Sequence, residues 1–296
     1  MNTKKNKQDD EIYILGSTSR RGKGDRTTIR RRWIILSIGL AIIIFGSLFL
    51  ILSYINNIKK EETIEYYFEP EETLPLSITV ETAAIDDVNQ KGYIETQEET
   101  VNEITLLVHT PYHVTMSLSL GKPDKSDSTI IFITQAADIR KDNKRIVAEF
   151  VLEGKQIARG LSKKGFCAVV DHTISIGMAD ETPLLQQSIE SNGFFFRQYP
   201  LVYHGEPITN NPVNKSIRRA LAVRNEQVIM VESTSALSFH DFSQALVDIG
   251  VSDAIYLVGG RDAHGWYYNK ESVRHEYGID YLAYPDYTSF IVWRTK

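Results

Sequence analysis

The sequence predicts an α+β domain, a mixed β-sheet with covering helices, preceded by one transmembrane helix. Three observations carry that expectation. Trp33 to Ile55 runs 23 residues without a charge. From Leu76 onward, short apolar or alternating segments recur between turn residues, as strands do. Two amphipathic segments begin with helix-capping residues and end at glycine.

The uncharged run comes first. As a helix rising about 1.5 Å per residue it reaches roughly 34 Å, enough to cross a hydrocarbon core of ~30 Å. Trp33 opens it and Tyr54 closes it, the rings that favour a membrane interface. Residues 1–32 hold ten Lys/Arg against four acids, whereas Lys59 and Lys60 are followed by a run of glutamates. That asymmetry places the N-terminus in the cytoplasm and exports the rest. No small-x-small cleavage site follows Tyr54, so the run reads as a signal anchor in the inner membrane, not a removed leader. The expected organisation is a basic cytoplasmic tail over 1–32, the anchor over 33–55, an acidic stalk over 56–75 and an exported domain over 76–296.

The whole chain carries 33 basic and 38 acidic side chains, a formal charge of −5. Beyond residue 32 the balance is 23 to 34, or −11. Such a surface excludes nucleic acid as a main partner, because phosphate backbones demand a basic footprint. The lipid bilayer is the expected partner of residues 33–55. Cys167 is the single cysteine, so no internal disulfide forms, which suits a bacterial envelope better than an animal secretory route.

Within the domain, Leu76–Thr82 is β-prone and Ile104–His109 is almost wholly apolar. Val114–Leu120 alternates, with Val114, Met116, Leu118 and Leu120 on one face, until Gly121-Lys122-Pro123-Asp124 breaks it. Ser128–Thr134, Arg145–Leu152, Phe166–Val170 and Thr173–Met178 read as further strands. The first helix spans about Pro183–Ser191, with Thr182 as cap, Pro183 in its first turn and Asn192-Gly193 as stop. Arg218–Arg224 and Gln227–Glu232 form a hairpin across Asn225-Glu226. The second helix spans about Phe239–Ile249, capped by Ser238 and ended by Gly250, with Phe239, Phe242, Leu246 and Ile249 on one face. Ala254–Val258 is a short strand running into Gly259-Gly260, and Ser289–Arg294 is the last strand.

Phe194 to Val202 is followed by Gly205, Arg218 to Val223 has its return strand in Val228–Val231, and Ala245–Gly250 leads to Asp253–Gly260. In that order, over residues 165–268, these segments resemble the phosphodiester glycosidase family. The likeness implies a glycosidase acting on sugar-phosphate diesters or glycans of the cell envelope, with a saccharide or sugar-phosphate as ligand and no cofactor. The alternative is an inactive saccharide- or anion-binding domain on the same scaffold. The chain departs from the family pattern where the Asp expected before the double glycine is Val258, and no Asn-Gly-Gly-aromatic segment is found.

Cleaving such a diester needs groups to hold phosphate and a carboxylate to manage proton and water. Gly259 and Gly260 allow close backbone approach to an anion. Arg218 matches the family arginine, and Arg197 is a second cation of that kind. Asp262 and Asp138 are the candidate acid or base, with His264 near the bound group. An ordinary tight turn, surface charges and a structural histidine are the plain alternatives at these positions. No paired His or Cys spacing suggests a metal.

Overall fold

The computed structural model describes residues 45–48, 50, 79–81 and 91–295. Residues 45–48 and 50 are helical. They belong to a unit over Met1–Glu65, and the second unit covers Tyr66–Lys296. Among the described residues no helix is long and apolar enough to cross a membrane. The anchor expected over 33–55 lies mostly outside them, as do the basic tail and the acidic stalk.

The second unit is built from three antiparallel sheets. The first contains β1 (Thr79–Glu81), β6 (Phe150–Leu152), β7 (Lys155–Ala158), β8 (Gly165–Val170), β9 (Thr173–Met178) and β10 (Phe194–Gln198), in the order β1-β9-β8-β10-β6-β7. The second contains β2 (Tyr93–Val101), β3 (Ile104–Tyr112), β11 (Pro200–Tyr203), β12 (Glu206–Pro207), β13 (Arg219–Arg224), β14 (Gln227–Ser233) and β15 (Asp253–Leu257). Its order is β12-β11-β15-β13-β14-β3-β2. The third contains β4 (Val114–Leu120), β5 (Ile130–Gln135), β16 (Gly265–Tyr268), β17 (Arg274–Tyr277) and β18 (Ser289–Thr295), ordered β17-β16-β5-β18-β4.

This corrects the expected mixed sheet of an α+β domain. Every strand pairing among the described residues is antiparallel, and within the second unit strands far outnumber the described helices, α1 (Pro183–Glu190) and α2 (Phe239–Asp248). The misreading has a physical cause. Near-continuous apolar strands usually mark parallel sheets covered on both faces. Here β5, β8, β13 and β15 are buried on both faces as well, because the sheets and helices cover one another.

The main core fills the space among the three sheets, with Met116, Phe132, Phe150, Phe196, Leu221, Ile255 and Trp293 at its centre. The outer face of the second sheet is covered by α2, whose Phe239, Phe242 and Leu246 pack on Val108, Ala222 and Ile229. The first sheet receives α1 through Leu184, Leu185 and Ile189 against Phe166 and Phe195. Both caps form as their residue types dictate. Thr182 Oγ1 accepts the Leu184 N–H at 3.3 Å, and Ser238 Oγ accepts the Asp241 N–H at 3.0 Å.

Candidate functional site

Three chain segments leave strand ends and meet around a cleft of about 510 Å³. The segment after β5 brings Asp138, the turn after β15 brings Val258, Gly259 and Asp262, and the loop between β17 and β18 brings Tyr281 and Tyr284. Each segment starts from a buried apolar strand, so its polar residues emerge where the sheet stops. Hollows of this volume at strand ends are where ligands usually bind.

Asp138 is the best-supported carboxylate in the cleft. Its side chain is one-third exposed, while one oxygen contacts the ammonium of Lys163. Lys163 is almost entirely buried. It donates a second bond to Gln198 Oε1 at 2.9 Å and lies 4.5 Å from the centre of the Tyr199 ring. Gln198 in turn donates to Ala136 O at 3.3 Å, which ties the end of β10 to the segment that carries Asp138. A buried ammonium needs such partners, and these fix the carboxylate in place.

Sequence reasoning missed Lys163. Lys163-Lys164 ahead of an apolar strand reads as a solvated pair. The one available signal was their position directly before Gly165, where the chain has already entered the interior. A Cβ at Gly165 would stand 2.5 Å from Gln198 O.

Tyr256 lies behind the cleft. Burial first, and then the Asp138 charge, push its phenol above the usual tyrosine value, while Arg218 opposes them. Its hydroxyl accepts the Gly259 N–H at 3.0 Å. The Gly260 N–H donates to Ile217 O at 2.8 Å, and the Gly260 carbonyl accepts from Arg219. Both amides expected to grip an anion are therefore already donating within the protein. The double glycine serves close packing instead: a Cβ at Gly259 would meet Ile217 O at 2.5 Å, and Gly260 has φ +92°.

The structure gathers Asp138, Asp262 and Gly259 on one cleft, but not the other candidates. Arg218 is buried beside them. It donates to Leu237 O at 3.0 Å and to the Asn214 carbonyl, with its guanidinium 4.0 Å over Phe239. Arg197 is also buried, bonded to Glu149 at 2.5 Å, Ala179 O at 2.6 Å and Asp180 O at 2.7 Å. Those bonds knit strands and loops together.

His264 is buried, and neither ring nitrogen has a hydrogen-bond partner. It faces Glu276 at 3.6 Å and Asp280 at 3.8 Å, and burial lowers its pKa. One donor atom from each of these three residues lies within 4.8 Å of the others, an arrangement able to hold a metal ion. The carboxylates, however, already pair with cations of the protein: Lys125 with Glu276 at 2.8 Å and Asp280 at 2.6 Å, and Arg274 with Glu276 at 2.9 Å. Such a site has little negative charge left for a metal.

Chemically, the cleft offers a carboxylate held by a buried cation, a second carboxylate on the Asp262 turn, and an aromatic wall. No protein-family model and no curated protein matches the sequence. The structure is similar to the catalytic domain of zebrafish N-acetylglucosamine-1-phosphodiester alpha-N-acetylglucosaminidase, auto-inhibited by its pro-peptide. That likeness has a TM-score of 0.55 at 11% identity and covers 79% of this chain and 97% of that one. A hypothetical protein from Synechocystis aligns with a TM-score of 0.47 at 11% identity, over 69% and 62% of the two chains. The zebrafish likeness supports a distant relationship of fold.

Proposed function

We propose that the domain hydrolyses a glycosidic bond to a phosphodiester, in glycans or sugar-phosphates of the cell envelope. The observation that carries this is Asp138, fixed by Lys163 yet open to the cleft that Asp262 also lines. The glycosidase fold of the zebrafish enzyme supports it. Breaking the bond puts positive charge on the sugar ring and negative charge on the departing phosphate. Asp138 is the carboxylate that steadies the sugar or activates water. Asp262 faces the same hollow and would manage the leaving-group proton. Tyr281 and Tyr284 offer ring faces for a sugar.

A second reading is a saccharide- or anion-binding domain without catalysis. Val258 favours it, since this cleft residue has an alkyl side chain that moves no proton. The engaged amides of Gly259 and Gly260 favour it too.

Release of sugar from a panel of UDP-sugars and sugar-1-phosphodiesters by the full chain in detergent separates the readings. Turnover that falls about a hundredfold or more in Asp138→Asn or Asp262→Asn is the result expected of general acid–base catalysis. Saccharide binding without turnover of any panel member establishes the second reading.

The uncharged run over 33–55 and the Lys/Arg excess before it support a chain held at the inner membrane with the domain outside the cytoplasm.

A further inference from the structure

Beside the cleft lies a second hollow of about 360 Å³, and three arginines line it. Arg140 and Arg145 come from a tight hairpin closed by the Ile139–Ile146 bridge, and Arg159 stands just beyond the end of β7. Among the described residues no carboxylate lines the hollow. Arg140 pairs with Asp142 at 3.2 Å, whereas neither Arg145 nor Arg159 meets a carboxylate among the described residues. In a chain with 23 basic and 34 acidic side chains beyond residue 32, the two guanidiniums of Arg145 and Arg159, side by side on one hollow with no carboxylate partner among the described residues, are unexpected on charge alone. Positive charge gathered on one concave face draws anions to it.

The hollow adjoins the cleft along two stretches of chain. Asp138 and Ile139 line the cleft and Arg140 lines the hollow; Thr288 lines the cleft and Tyr287 the hollow. The floor includes Ile146, Ile157 and Ala158, all at least half-buried. An apolar floor lowers the local dielectric and strengthens attraction between guanidinium and anion. The planar fork of arginine matches phosphate oxygens two at a time.

We infer that this arginine hollow is an anion subsite that takes a second phosphate of the ligand bound in the neighbouring cleft. The inference rests on the phosphodiester reading of the cleft, and it narrows the substrate class to compounds with at least two phosphates, such as nucleoside-diphosphate sugars or chains of sugar phosphates.

The test measures binding, so it does not depend on turnover. Calorimetric titration of the full chain in detergent uses inorganic tripolyphosphate, a UDP-sugar and a methyl diester of the same sugar 1-phosphate. Arg145→Gln/Arg159→Gln removes two exposed charges and leaves the core intact. Lys270→Gln/Arg274→Gln removes two from the hairpin of β16 and β17 as a control. The expected result is that the arginine pair weakens tripolyphosphate and UDP-sugar binding about tenfold or more. The single-phosphate diester and the control pair should stay unchanged. Equal weakening by both pairs would show a general charge effect and overturn the subsite. So would unchanged tripolyphosphate binding in the arginine pair, or none by the parent chain. If the subsite holds and no sugar is released from any substrate, the catalytic reading of the cleft fails alone.

Discussion

His109 lies on β3 with its ring 5.7 Å from Phe132 and 5.0 Å from Tyr267, and its Nδ1 is 2.9 Å from Thr96 Oγ1. Burial, aided by the Arg219 charge, lowers its pKa from 6.5 to about 3. The native state thus refuses a proton that the unfolded chain accepts below about pH 6.5. Its stabilisation is complete above that pH and is lost as pH falls towards 3, at about 1.4 kcal/mol per unit. Denaturant melts between pH 7 and 4 should show this slope, and His109→Gln should flatten it. Gly259→Ala belongs to the same scale. Its Cβ would collide with backbone, so a lower melting temperature and a disturbed cleft are expected, read by calorimetry and ligand titration. Asp138 and Asp262 were legible in the sequence because each follows an apolar strand at a turn. The cation that positions Asp138 was not, since a lysine pair carries no mark of its burial. Arg197 and Arg218 suggest phosphate by their type, and in the structure both donate to backbone carbonyls, Arg197 also to Glu149.

At the scale of elements, end signals and alternation served well. The capped helices appear over Pro183–Glu190 and Phe239–Asp248, within one residue of expectation, and Val114–Leu120 and Thr173–Met178 are strands with those bounds. The strand β2 gave no signal: only Ile94 of its nine residues is buried, because it forms the edge of its sheet. Arg145–Leu152 reads in the sequence as one strand, but only Phe150–Leu152 pairs in a sheet, and the residues before it close the arginine hairpin. The helix α2 is the element whose loss is easiest to test. Ser238→Ala removes the acceptor for the Asp241 N–H and should cost about 1 kcal/mol. Phe242→Ala empties a fully buried ring site against the second sheet and should cost roughly 3–5 kcal/mol. Chemical denaturation of each variant measures both. A loss for Ser238→Ala as large as for Phe242→Ala would mean that the cap holds more than the first turn.

At the scale of the whole molecule, pairing direction was the property the sequence concealed. Local periodicity reports which faces are buried and says nothing about which strand lies alongside. Three sheets shielding one another therefore resemble a helix-covered parallel sheet until their registers are known. The membrane proposal belongs to this scale as well. Protease added to intact spheroplasts should remove the domain and spare a tag at residue 1, and protection of the domain with an intact membrane would defeat it.

The third sheet has a consequence in time. Its strand β18 lies between β5 and β4, with Trp293 opposite both Phe132 and Met116. Until residue 295 has left the ribosome, β4 and β5 have no common neighbour, and the apolar faces meant for the main core stay open. Folding thus waits on synthesis, and the closing contact spans most of the domain, which makes it slow. Throughout that interval the apolar strands are open to aggregation and to a chaperone.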